Sequence, residues 1–236
     1  MLCFALQFFF WIRAEKFKPG VDIVPELPSD QMVAAMSFGD SQFYFRVNAL
    51  RIENAGDSFG RFTSLKQYNY ETLYKWFKLL DSIDSKSQYV PTLAANYYSQ
   101  TPNKEDTRYI IKYLDEYASR DIDKYWWWMF QALYIANATL KDNNLALDLA
   151  NKLSENKNEN APIWTRQFPA FIRAKMGDDC GAFLVISKIL KENSNTDSKI
   201  TAKEMDFMRY FIKERLSNLK EKNFDPSKCK AQDALR

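Results

Sequence analysis

The chain has 236 residues, enough for one medium domain or a short row of stacked repeats. Six glycines and eight prolines exclude a collagen-like or low-complexity chain and argue against an all-β protein rich in tight turns. Histidine is absent, which excludes Ser-His-Asp and Cys-His catalysis, His-ligated zinc and His-ligated haem. The net charge is +3, and no clustered basic footprint of a nucleic-acid binder stands out, so no nucleic-acid partner is expected. The basic excess gathers in Lys213, Arg215, Lys220, Lys222, Lys228 and Lys230. Either a solvated helix and tail or a contact with a polyanion or lipid headgroup accounts for it.

The first twelve residues, MLCFALQFFFWI, carry no charged side chain; Arg13, Lys16 and Lys18 follow. Twelve is short of the ~20 apolar residues a spanning helix needs, and no small-residue cleavage site follows. Three readings stay open: a signal anchor whose start lies upstream, an interfacial anchor with Phe8, Phe9, Phe10 and Trp11 at headgroup depth, or a core helix. Residues 1–18 are assigned as the membrane anchor and residues 19–36 as a connector with a short helix. Pro19, Pro25 and Pro28 suppress helix there, as suits a linker lifting a body off a membrane. The side of the membrane on which the body lies stays open.

Beyond Ser29 the punctuation is helical. Ser29-Asp30-Gln31 opens Met32 to Met36 and Gly39 closes it. Gln42 to Ala55 forms the next segment, stopped by Gly56. Tyr70 to Ile83 carries Leu73, Trp76, Phe77 and Leu80 at helical spacings. Tyr89 to Ser99 and Asp106 to Ala118 are expected to form a helix pair, with Thr101 to Glu105 as the turn.

The helices then repeat. Trp128 and Gln131 recur as Trp164 and Gln167, 36 residues on; Ala138, Asp142, Ala146, Leu149 and Leu153 fall on Ala174, Asp178, Ala182, Val185 and Ile189. This plan resembles the tetratricopeptide (TPR) repeat, whose period is about 34 residues. The small residue early in the second helix (Ala146, Ala182), the Gly177-Asp178 turn and the apolar ladder carry the resemblance. The family's Gly-and-Tyr pair of the first helix is replaced by Tyr134 and Asn137, and its Pro after the second helix is missing. Phe38-Gly39-Asp40, Gly56 to Gly60 and Val90-Pro91 look like an uncharacterised alphaproteobacterial family of anchored, TPR-like proteins. That resemblance implies a bacterial inner-membrane location.

The expected fold is therefore all-α: a TPR-like superhelix over residues 37–216, with a basic tail over residues 217–236. The resemblance implies an inner surface lined by first helices, presenting Trp128, Gln131, Ile135, Trp164, Gln167 and Phe171 to a peptide or protein partner. Alternatively, both tryptophans pack between repeats. Successive helical residues lie about 100° apart, so Trp126, Trp127 and Trp128 cannot share one buried stripe. At least one ring is expected to meet solvent, a partner or lipid, unless the helix is covered on two sides.

Chemistry is scarce. No phosphate-loop or dinucleotide motif exists, and Gly56 to Arg61 lacks the lysine and preceding strand such a loop needs. Asp121 with Asp123, and Asp178 with Asp179, sit before helices and are expected to cap them. Arg46, Arg51 and Arg61, with Asp40 and Asp57, lie around the first Gly-Asp turns; they either pair across repeats, which is the default, or hold an anionic partner. Asn137-Ala-Thr139 fits a glycosylation sequon by chance. Cys180 and Cys229 are either free thiols or a disulfide, the latter only outside the cytosol. No cofactor or metal is expected, and the function expected is a non-catalytic interaction scaffold. Two other readings are an enzyme or enzyme-complex subunit that works through carboxylates, and a lipid or cell-wall sensor using the aromatic face.

Overall fold

The computed structural model describes residue 7, residues 23–58, 61–194 and 200–215, and residue 229. The anchor residues Phe8, Phe9, Phe10 and Trp11, and all of the basic tail but Cys229, lie outside the described residues. Among the described residues, no helix is long and apolar enough to cross a membrane. The chain divides into two units, one ending at Ser85 and one starting at Lys86. That boundary falls within the span expected to form one repeat domain.

In the first unit, α1 (Asp30–Met36) starts at Ser29, whose hydroxyl accepts the Met32 N–H. The Asp40 carboxylate caps α2 (Ser41–Glu53), accepting the Phe43 N–H at 2.9 Å. Gly56 ends the next turn at φ +78°, and a Cβ there would collide with the Tyr68 ring, whose hydroxyl donates to the Ala55 carbonyl. Glycine is thus required on both conformational and steric grounds. A two-residue antiparallel ribbon follows, β1 (Asp57–Ser58) against β2 (Arg61–Phe62). The helix α3 (Tyr70–Ile83) has the expected bounds and packs on α2, burying Leu73, Trp76, Phe77 and Leu80. The Pro-spaced connector is tied down at its end: Val24 is buried, and Trp76 Nε1 donates to the Pro25 carbonyl at 2.7 Å.

The second unit is wholly helical among its described residues. It comprises α4 (Tyr89–Asn96), α5 (Lys104–Ala118), α6 (Ile122–Tyr134), α7 (Asn143–Ser154), α8 (Trp164–Met176), α9 (Asp179–Ser194) and α10 (Ala202–Tyr210). Each helix packs on the next along the chain. One member of each acidic pair caps its helix, Asp121 accepting the Lys124 N–H and Asp178 the Gly181 N–H, and Asp142 likewise accepts the Leu145 N–H. Asp123 instead accepts the Lys157 N–H at 2.6 Å, pinning the loop after α7 to the start of α6. Ala146 and Ala182 are both fully buried, which explains the small residue at each position. Pro169 sits inside α8 without ending it, although its ring removes one ladder hydrogen bond.

The 36-residue offset has a backbone counterpart. Lys141 (φ 59°) and Gly177 (φ 83°) hold matching left-handed turns after α6 and α8, although α6 first passes through a wide turn over Ile135–Leu140. A Cβ at Gly177 would meet nothing within 4 Å, so substitution there probes backbone conformation alone. Gly177→Ala is expected to destabilise by about 1 kcal/mol, and Lys141→Gly to stabilise by up to about 1 kcal/mol. Urea midpoints at constant m-value measure both.

Of the two states open for Cys180 and Cys229, the structure shows the disulfide, with Cα atoms 5.2 Å apart. It ties residue 229 to the first turn of α9.

Candidate functional site

The surface with the most distinctive chemistry is aromatic and runs along α6, α8 and α10. On α6 the buried stripe is Tyr125, Trp128, Met129, Ala132 and Leu133, at helical spacing. That choice of stripe turns Trp126, Phe130 and Tyr134 to another side of the helix. On α8, Trp164, Phe168 and Phe171 follow the same logic and are half-buried.

The rings form a continuous ladder. Trp126 meets Trp127 at 5.8 Å between centroids and Trp164 at 6.0 Å. Phe130 meets Trp127 at 5.4 Å, Trp164 at 4.9 Å and Phe168 at 5.6 Å. Phe168 continues to Phe171 at 5.8 Å, and Phe171 reaches Phe207 of α10 at 6.1 Å. Edge-to-face and tilted geometries predominate, as the ring quadrupole favours. The ladder is not sealed: Trp127 is 45% exposed, Phe207 48% and Tyr134 56%.

The expected partner residues divide on this geometry. Trp164 and Phe171 are half-buried members of the ladder, and Gln131 is half-buried on α6. Trp128 and Gln167 are buried, at 6% and 2% exposure, and Ile135 is buried too, so none of the three presents to a partner. Trp128 packs edge-on to Tyr117 at 6.5 Å in the core. The repeat register explains this correction. The 36-residue offset equates Trp128 with Trp164, whereas the residues that touch are Trp126 and Trp164, 38 apart. Sequence reasoning missed Trp126, Phe130, Tyr134 and Phe168 as one surface. The signal was present as aromatic residues at i, i+4 and i+8 on α6 and i, i+4 on α8. The tryptophan triplet divides as its geometry requires, into exposed Trp127, half-buried Trp126 and buried Trp128.

A cleft of about 580 Å³ is lined by Lys104, Arg108, Lys141, Asp142 and Asn144 among others. Of its two carboxylates, Glu105 and Asp142, the latter is held below the usual range by the Leu145 N–H first and by Arg108, 3.2 Å away. Burial raises the Asp106 carboxyl above its usual range, and hydrogen bonds from Asn103 and Thr101 oppose that shift. Among the described residues, no group of three or more Cys, Asp or Glu side chains is placed to hold a metal ion.

Comparison with protein-family models, with curated proteins and with solved structures returns no match. The class defined by the observations is therefore structural: an all-α protein whose second unit packs its consecutive helices in sequence and carries a part-exposed aromatic ladder.

Proposed function

We propose that this chain is a non-catalytic interaction protein that holds a peptide or protein partner against the aromatic ladder of α6 and α8. The observation that carries the proposal is the ladder itself: rings stacked edge to face, fixed in place, with Trp127 and Tyr134 left to solvent. Tryptophan and tyrosine supply large contact area with little rotamer freedom to lose, and they dominate the energetics of protein interfaces. Part-exposed aromatic surface of this extent is otherwise costly on a monomer.

TPR-like stacking of helix pairs is the architecture we infer for the second unit, supported by the matching left-handed turns and the buried Ala146 and Ala182. We place the chain at the bacterial inner membrane, held through residues 1–18. The Cys180–Cys229 disulfide favours an oxidising compartment for the body, outside the cytosol.

The test is crosslinking and co-purification from native membranes, comparing wild type with Trp127→Ala and with Trp127→Ala/Trp164→Ala/Phe168→Ala. The single variant removes a ring that is 45% exposed and two ring pairs, and is expected to melt only slightly earlier than wild type. The triple variant loses ring pairs worth about 0.5–1.5 kcal/mol each beyond area burial, and should melt somewhat earlier while keeping its helicity. One partner recovered with wild type, reduced with the single variant and lost with the triple supports the proposal. The same partner recovered equally by all three sinks it.

A further inference from the structure

The helix α2 carries apolar residues on two opposite sides. Tyr44, Phe45, Ala49 and Ile52 are buried, together with Asn48, which donates to the Tyr44 carbonyl at 2.9 Å. Phe43, Val47 and Leu50 form a second stripe at i, i+4 and i+7, and they are 51%, 46% and 54% exposed. At about 100° per residue these three lie within a sector of roughly 60° on the outward side. Arg46 falls on one edge of that sector and Arg51 on the other.

The expected pairing of these arginines is not seen. Among the described residues, Arg46 and Arg51 make no ion pair, and Asp40 is taken up by the Phe43 N–H. The Arg51 charge is felt instead by the Tyr44 hydroxyl, where it opposes the rise that burial causes. Just before α2, Phe38 is 86% exposed and held at φ +50°, a conformation bulky side chains rarely adopt.

We propose that the outward face of α2 lies on an anionic lipid bilayer, with Phe43, Val47 and Leu50 at the headgroup–acyl boundary and Arg46 and Arg51 reaching to lipid phosphates. The pattern is that of an interfacial helix: an apolar stripe bordered by cations whose stems lie along it. Charge selects this occupant, since two arginines that make no ion pair among the described residues and flank apolar area oppose burial in an apolar protein interface but match anionic headgroups. Chain continuity selects it as well. Residues 13–40 separate the apolar run Met1 to Ile12 from Ser41, so a membrane-held amino terminus keeps the first unit within that chain length of the bilayer. The proposal rests on the membrane placement above and is independent of the aromatic ladder.

The test uses the full chain carrying Cys3→Ser and Val47→Cys, which leaves residue 47 as the one free thiol, since Cys180 and Cys229 are joined. An environment-sensitive nitrobenzoxadiazole label is attached there, and at Asp148→Cys on exposed α7 positions as the reference. Vesicles of phosphatidylglycerol and phosphatidylcholine, or of phosphatidylcholine alone, are added, and co-sedimentation is followed in parallel. The expected result is a blue shift and intensity gain at position 47 with the anionic vesicles and none at position 148. Arg46→Gln/Arg51→Gln should then weaken anionic-vesicle binding roughly tenfold or more at low salt. If the chain sediments with vesicles while the label at position 47 stays in water, the α2 proposal falls and the anchor stands. If the chain does not sediment with vesicles, both fall. A blue shift at position 47 without vesicles that grows with protein concentration assigns the face to a second copy and overturns the lipid proposal.

Discussion

Asp178→Ala is expected to lower the folding free energy by about 2–3 kcal/mol, more than loss of a helix cap alone, because the pair is buried on the arginine side and 36% exposed on the carboxylate side. Asp178 does two things at the α8–α9 junction. One carboxylate oxygen accepts the Gly181 N–H at 2.8 Å, and the other meets Arg173 Nη1 at 2.6 Å. Losing the cap costs about 1 kcal/mol. The larger share comes from Arg173, whose side chain is only 4% exposed and which would keep its charge without that carboxylate. Gly181 shows how closely the pair is enclosed, since a Cβ there would overlap the Asp178 carboxylate and approach Arg173 Nη1 to 2.8 Å. Three variants separate the contributions. Asp178→Asn keeps the acceptor for Gly181 and removes the charge, so it should cost somewhat less than alanine. Arg173→Met removes the buried charge, and Arg173→Met/Asp178→Ala should recover much of the loss. Equilibrium denaturation at constant m-value reads all four. A cost for Asp178→Ala within about 1 kcal/mol would mean that only the cap mattered.

Helices were legible where apolar period and cap chemistry agreed. The bounds of α3 follow from a single buried stripe, to which the structure adds Asn69 as cap, and α1 follows from Ser29. Legibility failed where one helix has two apolar sides. On α2 the outward stripe of Phe43, Val47 and Leu50 flattens the amphipathic signal, and nothing in the spacing marks which stripe is core. On α6 the difficulty has the same source. Trp126, Trp127 and Trp128 are chemically alike, and only packing against Tyr117 decides that Trp128 goes inward. A repeat offset aligns residues by position along the chain, whereas the ladder is set by where neighbouring helices touch. That is why Trp128, which the offset pairs with Trp164, and Gln167, which it pairs with Gln131, are buried while their counterparts are half-buried. Caps fared better because they are local: Asp121 and Asp178 each serve an N–H three residues on. Asp123 does not, because its partner is the Lys157 N–H, supplied by the loop after α7.

Reduction of the Cys180–Cys229 disulfide is the second large expected effect. The bridge closes a loop of 49 residues, for which loop-closure entropy gives about 4 kcal/mol at 25 °C. The constraint acts mainly on the unfolded chain, so the reduced protein should keep its helical circular dichroism under native conditions and lose its denaturation midpoint. Cys180→Ser/Cys229→Ser should match the reduced protein, and reductant should leave the double variant unchanged. The site of the bridge sharpens the expectation. Cys180 is the second residue of α9 and follows Asp178 by two positions, so the disulfide and the Arg173–Asp178 pair secure the same junction. Asp178→Ala combined with reduction should therefore depart from the sum of the separate losses. Additive losses would mean that the bridge acts through the unfolded chain alone. Alkylation of thiols in intact cells, before and after reduction, tests the compartment with the same residues. Cys180 and Cys229 blocked to alkylation until reductant is added is the state expected of a body held in an oxidising space, whereas thiols that react without reductant would place it where disulfides do not persist.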